Sequence, residues 1–130
     1  MSNESRVGVH IPDDYRCASD ALSGRVIAVT GASAGIGRSA AIHYARHGAT
    51  VVLIARSEER LNAVCDEIEA AGYSQPAAVL FDFTNENEND YAALAAAIGE
   101  QFPQLDGLLL NASILGERRP IAQANWPAWR

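Results

Sequence analysis

The stretch VIAVTGASAGIGRSAA, residues 26–41, carries the strongest structural signal in the chain. It places three glycines, Gly31, Gly35 and Gly37, between a short apolar run and an alanine-rich segment. Such a run is typical of a buried strand, and the segment after the glycines has the character of a helix. Bare backbone at the start of a helix lets N–H groups approach a phosphate at the positive end of the helix dipole. The stretch therefore predicts a strand, a turn and a helix that together bind a phosphorylated ligand.

The glycine spacing by itself does not identify that ligand. The pattern G-x-x-x-G-x-G differs from the dinucleotide fingerprint G-x-G-x-x-G and from the phosphate loop that ends in lysine. The phosphate loop is excluded, because all ten basic residues of the chain are arginine. The other strands and loops must therefore distinguish between the remaining ligands.

The composition is that of a single globular domain. The chain has 130 residues, 48% of them hydrophobic, and a formal net charge of -6. An acidic chain with no basic run argues against binding to nucleic acid or to an anionic membrane surface. No apolar stretch approaches the roughly 18 residues that span a bilayer, and the first residues lack the pattern of a secretory signal. We therefore expect a cytoplasmic protein.

Apolar runs alternate with helical patterns along the chain. The apolar runs cover residues 25–31, 50–56, 77–83 and 106–112. The helical patterns cover residues 36–47, 57–71 and 88–101. Runs rich in Val, Leu and Ile suit strands buried on both faces of a parallel sheet, and right-handed crossovers then predict an α/β doubly wound sheet. We assign residues 24–130 to this domain and residues 1–23 to an N-terminal extension.

The landmarks along this predicted sheet resemble the short-chain dehydrogenase/reductase family. The TGxxxGxG motif of the family matches TGASAGIG at residues 30–37, and its acidic position after the third strand matches Asp82. Its NAG motif after the fourth strand appears as NAS at residues 111–113. The resemblance covers about residues 22–130 and is especially close to a group of bacterial oxidoreductases. It implies a Rossmann-type doubly wound parallel sheet in the order 3-2-1-4, truncated here after the fourth strand.

The resemblance also implies a cofactor site at the carboxyl ends of the strands. The residues of the glycine turn would hold the ribose and pyrophosphate: Gly31, Ser33, Ala34, Gly35, Ile36 and Gly37. Asp82 and Phe83 would border the adenine, and Asn111 and Ala112 would lie beside the ribose on the nicotinamide side. Ser113 replaces the last glycine of the family's motif, and we expect its side chain to narrow the exit of the fourth strand.

The end of the second strand distinguishes between the two nicotinamide cofactors. Sites for NAD place a carboxylate there, about 20 residues after the glycines, where it binds the ribose 2′-hydroxyl. Here the strand ends in Ala55-Arg56-Ser57, with no acid before Glu58. Arg56 offers a guanidinium fork for the 2′-phosphate and Ser57 offers a hydroxyl at a helix start. We therefore expect NADP in preference to NAD; the alternative is that Arg56 only points into water.

The family's catalytic serine, tyrosine and lysine cannot be assigned to this chain. In the family they follow the fourth strand, and this sequence contains no lysine. We expect the cofactor-binding half of an NADP-preferring oxidoreductase, inactive by itself, whose full-length form is a homo-oligomer acting on a small carbonyl or alcohol substrate. Two alternatives are a non-catalytic nucleotide-binding module and, less favoured, an S-adenosylmethionine-dependent methyltransferase, which normally needs an acid where Arg56 stands.

Two clusters resemble metal sites but lack essential ligands. His43 and His47 are spaced as in HExxH, but Tyr44 stands where that motif has its glutamate. The acidic run at residues 82–90 lacks the glycine and the closing glutamate of a calcium-binding loop. We predict no metal site.

Overall fold

The residues that the structure describes form a four-stranded parallel sheet. The computed structural model describes residues 10–84, 87–114 and 120–123. Its strands are β1 (Val26–Thr30), β2 (Thr50–Ala55), β3 (Ala77–Leu80) and β4 (Gly107–Leu109). They lie in the order β3-β2-β1-β4, and every pair is parallel. This arrangement confirms the predicted Rossmann-type α/β sheet and its 3-2-1-4 order.

The two outer strands are shorter than the apolar runs that predicted them. The run at 77–83 gives a strand that ends at Leu80, and the run at 106–112 gives one that ends at Leu109. Each outer strand pairs with one neighbour among the described strands, so its ends keep fewer ladder hydrogen bonds than a central strand has. The residues that follow Leu80 and Leu109 leave the sheet as loops at its carboxyl edge.

Three helices within the described residues connect the strands, close to their predicted bounds. They are α1 (Gly35–Arg46), α2 (Glu58–Ala70) and α3 (Glu88–Gln101). Ser57 caps α2, because its hydroxyl accepts the N–H of Arg60. Asn87 and Asp90 form a reciprocal capping box at the start of α3. Among the described residues, none of these helices is both long and apolar enough to cross a bilayer.

The main core lies between the sheet and helices α1 and α2. Its fully buried members include Val51 and Leu53 of β2, whereas Val52 and Ile54 pack on the opposite face. This alternation follows from the two-residue repeat of a strand. Small residues on α1, such as Ala41 and Ala45, are buried against the same cluster. The core therefore packs α1 and α2 against one face of the sheet.

Helix α3 covers the opposite face of the sheet only in part. Leu94 and Ile98 of α3 pack against the buried residues of that face. Beside them, Leu105, Leu108 and Leu110 are 43%, 55% and 77% exposed. These leucines line an apolar groove of about 470 Å³ between α3 and β4. The face next to β4 therefore carries an exposed apolar strip.

The segment before β1 touches the main core at its end. Residues 10–21 are exposed, whereas Leu22 packs against the core. The backbone N–H of Leu22 donates to the carbonyl oxygen of His47 at 2.9 Å. Residues 1–9 of the predicted extension lie outside the described residues, and the boundary at residue 24 stays a prediction.

Asp106 connects the beginnings of β4 and β1. Its carboxylate accepts the backbone N–H of Val26 at 2.8 Å and hydrogen bonds from Gln104 at 3.0 Å and Arg25 at 3.3 Å. The Val26 hydrogen bond, with smaller contributions from Arg25 and Gln104, holds the pKa of Asp106 below its ordinary value of 3.8. The charged carboxylate therefore stabilises the pairing that brings β4 alongside β1.

This contact should make part of the stability depend on pH. Because the pKa of Asp106 is lowered on folding, its contribution is present above 3.8 and is lost as the pH falls through the lower, folded-state pKa. We expect Asp106→Asn to be less stable than the wild type at neutral pH, with the difference shrinking in acid. Urea unfolding of both proteins at pH 7 and at about pH 3 measures this. A difference in unfolding free energy that does not change with pH would contradict the assignment.

Candidate functional site

An open groove of about 470 Å³ lies at the carboxyl edge of the sheet. Most of its lining comes from the loops that follow the four described strands, since parallel strands end at the same edge, and Ala55 of β2 and Arg60 of α2 complete it. The predicted site residues that line it are Gly31, Ser33, Ala34, Arg56, Asp82, Phe83, Ala112 and Ser113. The lining residues that the sequence did not predict are Ala55, Arg60, Phe81, Thr84 and Ile114. The predicted residues that lie outside the lining are Gly35, Ile36, Gly37, Ser57 and Asn111.

The glycine turn passes from β1 to α1 in four residues. Gly31 has φ +66° and Gly35 has φ +54°, conformations that residues with a side chain rarely adopt. Gly37 has a different requirement, because a Cβ there would overlap the carbonyl oxygen of Gly31 and lie 2.5 Å from Nδ2 of Asn111. The spacing of the three glycines is therefore explained by the shape of the turn and by its contact with the loop after β4.

The start of α1 differs from the starts of the other two described helices. Its N-cap residue, Ala34, provides no side-chain hydrogen bond, and its first turn contains no acidic residue. In contrast, α2 and α3 begin with a polar cap and with acidic residues in the first turn. The first backbone N–H groups of a helix have no partner within it, and they carry the positive end of its dipole. Because Ser33 and Ala34 line the groove, this end of α1 is available to an anion there.

Thr30 and Asn111 join the glycine turn to the loop after β4. The Thr30 hydroxyl accepts the backbone N–H groups of Asn111 at 3.0 Å and Ala112 at 2.9 Å, and it donates to the carbonyl oxygen of Leu109. The side-chain amide of Asn111 donates to the carbonyl oxygens of Thr30 at 3.2 Å and Gly31 at 3.4 Å. Thr30 is only 5% exposed. The structure therefore uses Asn111 to support the turn, and its contact with a ribose stays a prediction.

Asp82 is held as an anion beside the groove. Its carboxylate accepts the hydroxyl of Thr84 at 2.6 Å and the backbone N–H of the same residue at 3.0 Å. These hydrogen bonds, with a smaller contribution from the charge of Arg56, hold the pKa of Asp82 below its ordinary value. At neutral pH, Asp82 therefore presents an ionised, pre-oriented hydrogen-bond acceptor at the end of β3.

Aromatic side chains form the wall next to Asp82. The ring centroids of Phe81 and Phe83 lie 4.7 Å apart in an edge-to-face arrangement. The ring of Tyr91 on α3 lies 5.4 Å from Phe81 and 6.2 Å from Phe83. Aromatic pairs at these distances stabilise one another beyond the area they bury. Phe83 is thereby held in a packed apolar wall against which a planar base could stack.

Arg56 and Ser57 lie between β2 and α2. Arg56 is exposed and lines the groove. The hydroxyl of Ser57 accepts the N–H of Arg60 at 3.4 Å, so it serves as the helix cap, and its contact with a phosphate stays a prediction. Arg60 also lines the groove. The sequence feature that could have indicated Arg60 is its position in the first helical turn after Arg56. The sequence does not show which side of that helix faces the groove.

The loop after β4 accommodates Ser113 without backbone strain. Among the described residues, no residue other than glycine has a positive φ, so a serine can replace the family's glycine at this position. Ser113 is exposed and lines the groove together with Ala112 and Ile114. Its hydroxyl adds a hydrogen-bonding group to this end of the groove.

The two histidines of α1 form a local contact. Their ring centroids lie 6.3 Å apart, and Nδ1 of His47 is 2.8 Å from the carbonyl oxygen of His43. Within the part of the chain that the structure describes, no group of three or more His, Cys, Asp and Glu residues is arranged to hold a metal ion.

The parallel sheet, the crossover helices and the groove at the carboxyl edge define a Rossmann-type protein. The chain belongs to the short-chain dehydrogenase family, whose model, described as "short chain dehydrogenase", matches residues 25–130. This match confirms the resemblance seen in the motifs. It also leaves the methyltransferase alternative without support.

Similar proteins agree with this assignment. "Uncharacterized oxidoreductase YciK" of Escherichia coli K12 is 41% identical over 116 residues, which are 89% of this chain and 46% of that protein. A solved short chain dehydrogenase from Escherichia coli CFT073, complexed with NADPH, has a TM-score of 0.80 at 42% identity, covering 87% of this chain and 47% of that one. One from Shigella flexneri, complexed with NADP, has a TM-score of 0.78 at 42% identity, covering 85% and 46%. The chain thus spans about half the length of these relatives.

Proposed function

We propose that the groove binds NADP(H) and that the chain is the cofactor-binding part of an oxidoreductase. The observation that carries this proposal is the start of α1, which has neither a side-chain cap nor an acidic residue and which borders the groove beside the glycine turn. Such an end favours the pyrophosphate of a dinucleotide. The NADPH and NADP complexes of two similar structures support the same ligand class.

The groove offers a suitable partner for each portion of the dinucleotide. The pyrophosphate would lie at the glycine turn, and the adenine would lie against Phe83 with Asp82 as a hydrogen-bond acceptor. The nicotinamide ribose would lie beside the loop after β4, where Ala112 and Ser113 line the groove. The 2′-phosphate would lie near Arg56, at the end of β2. From β3 to β4 along the carboxyl edge, the proposed order is therefore adenine after β3, 2′-phosphate after β2, pyrophosphate after β1 and nicotinamide ribose after β4.

For the whole protein we propose hydride transfer between the cofactor and a small carbonyl or alcohol substrate. When bound, the nicotinamide ring supplies or accepts the hydride. The residues of this chain bind and orient the cofactor, and the full-length protein is proposed to be a homo-oligomer. Support for the reaction class comes from the family and from the oxidoreductase relatives.

The test of this proposal is a comparison of two cofactors on one variant. Arg56→Ala should weaken NADPH binding by about 1.5–3 kcal/mol, or roughly 10- to 150-fold, because it removes charge-assisted hydrogen bonds to the 2′-phosphate. NADH lacks that phosphate, so its affinity should change little. Isothermal titration of both cofactors into the intact wild type and variant measures the two effects.

A matched control is Arg46→Ala. Arg46 is exposed at the C-terminal end of α1, away from the glycine turn. Its substitution by alanine removes one positive charge, as Arg56→Ala does, but Arg46 is not among the described residues that line the groove. Its affinities for both cofactors should equal those of the wild type. Equal losses of NADPH and NADH affinity in Arg56→Ala would mean that Arg56 supports the loop and does not bind the 2′-phosphate.

A further inference from the structure

Arg60 places a second guanidinium group at the proposed 2′-phosphate end of the groove. It lies in the first turn of α2, and among the described lining residues it and Arg56 carry the basic side chains. Its backbone N–H is already bound by the hydroxyl of Ser57. The group that Arg60 can offer to a ligand is therefore its side chain.

Arg60 forms no ion pair with another residue of the described part of the chain. The ion pairs among the described residues join Arg25 to Asp106 and Arg38 to Glu67, and neither involves Arg60. Glu58 and Glu59 share the first turn of α2, but they are not among the described residues that line the groove. Arg60 is exposed and its side chain has no hydrogen-bond partner among the described residues, so its guanidinium offers several donors to an anion in the groove.

The charge of a bound 2′-phosphate would exceed the charge of one arginine, so a second positively charged side chain would stabilise it. A phosphate monoester carries a charge of about −1.5 to −2 at neutral pH. Arg56 shares the groove with the carboxylate of Asp82, so the lining already holds one negative charge beside it. One guanidinium supplies less positive charge than the phosphate carries. A second guanidinium in the first turn of α2 raises the positive charge of the lining to two and brings it closer to that of the phosphate.

We propose that Arg60 is a second determinant of the preference for NADP, and that its guanidinium binds the 2′-phosphate together with Arg56. This inference rests on the proposed function of the groove. Two planar guanidinium groups can each donate two hydrogen bonds to different oxygens of one phosphate. The pair would therefore recognise the phosphate ester itself and would contribute little to a cofactor that lacks it.

The experiment measures how much the 2′-phosphate contributes to binding, separately from the rest of the cofactor. Four ligands are titrated into the intact protein: NADPH, NADH, adenosine 2′,5′-bisphosphate and 5′-AMP. Arg60→Ala should weaken NADPH and the bisphosphate by roughly 10-fold, the scale of one charge-assisted hydrogen-bonded contact, and should leave NADH and 5′-AMP unchanged. Arg60→Lys keeps the charge without the fork, so its affinities should be intermediate. Arg46→Ala is the control, and thermal unfolding verifies that each variant is folded.

The outcomes distinguish this inference from the proposed function. If Arg60→Ala leaves all four affinities unchanged while Arg56→Ala selectively loses NADPH, the role of Arg60 is overturned and the proposed function stands. A loss shared equally by NADPH and NADH also overturns it, because Arg60 would then support the loop. If the wild type binds none of the four ligands, the proposed function fails and the inference fails with it.

Discussion

Gly37→Ala is expected to remove most of the nucleotide affinity, although it adds only one carbon atom. That carbon would overlap the carbonyl oxygen of Gly31 and lie 2.5 Å from Nδ2 of Asn111. The two neighbours are hydrogen-bonded to each other in the connection between the glycine turn and β4, so relieving the overlap disturbs that connection. We expect NADPH affinity to fall by about 100-fold, or about 2.7 kcal/mol, and the free energy of unfolding to fall by about 1–3 kcal/mol.

Two other glycines provide controls for this variant. Gly99 on α3 has no atom within 4 Å of an added Cβ, so Gly99→Ala should raise the free energy of unfolding by about 0.5–1 kcal/mol and leave binding unchanged. An added Cβ at Gly35 also meets no atom within 4 Å, but the φ of Gly35 is +54°. Gly35→Ala therefore tests the effect of an unfavourable backbone conformation separately from the effect of a steric clash. Calorimetric titration and denaturant unfolding measure both quantities. Wild-type affinity in a folded Gly37→Ala protein would contradict the proposed geometry of the turn.

Thr30→Val is expected to be the most destabilising change that keeps the shape of the site. Valine has nearly the same volume as threonine, but it leaves the backbone N–H groups of Asn111 and Ala112 without their acceptor in a part-buried position. An unsatisfied buried donor costs about 1–3 kcal/mol, so we expect the free energy of unfolding to fall by about 2–4 kcal/mol. Urea unfolding monitored by circular dichroism gives this value.

The matched variant is Thr30→Ser. Serine keeps the hydroxyl and loses one methyl group, so it should cost about 1 kcal/mol. It should also retain cofactor affinity, whereas Thr30→Val should lose part of it because the glycine turn is no longer held to β4. If Thr30→Val is as stable as the wild type while Thr30→Ser is destabilised, the hydroxyl is not the stabilising group and the methyl contact is.

The helices were predicted well because residues at their ends mark where they stop and start. The third pattern, at 88–101, coincides with the bounds of α3, which starts after the capping residue Asn87 and stops just before Pro103. The strands that lie inside the sheet were also close to prediction. The outer strands were not, because the length of a strand at an edge depends on its partner and not only on its own apolar residues.

Sequence reasoning was less complete for the groove. Residues that line it through backbone position, such as Gly31 and Ala112, follow from the motif once the fold is known. Arg60 was not predicted as a lining residue, because its position at the groove depends on the rotation of α2 about its axis. Thr30 was read only as part of a motif, since its hydrogen bonds reach residues 79 to 82 positions away. Such distant contacts depend on how the strands assemble, and local patterns do not contain that information.

The connection between Thr30 and Asn111 also has a consequence for the order of events during synthesis. The glycine turn leaves the ribosome early, but the strand that supports it, β4, is the last of the described strands to emerge. Until then the hydroxyl of Thr30 lacks its partners 81 and 82 residues downstream. Because contacts between residues so far apart in sequence form slowly, we expect the proposed cofactor site to be complete only after β4 has paired with β1. Binding of the proposed cofactor is therefore expected to report that the first and last described strands have paired.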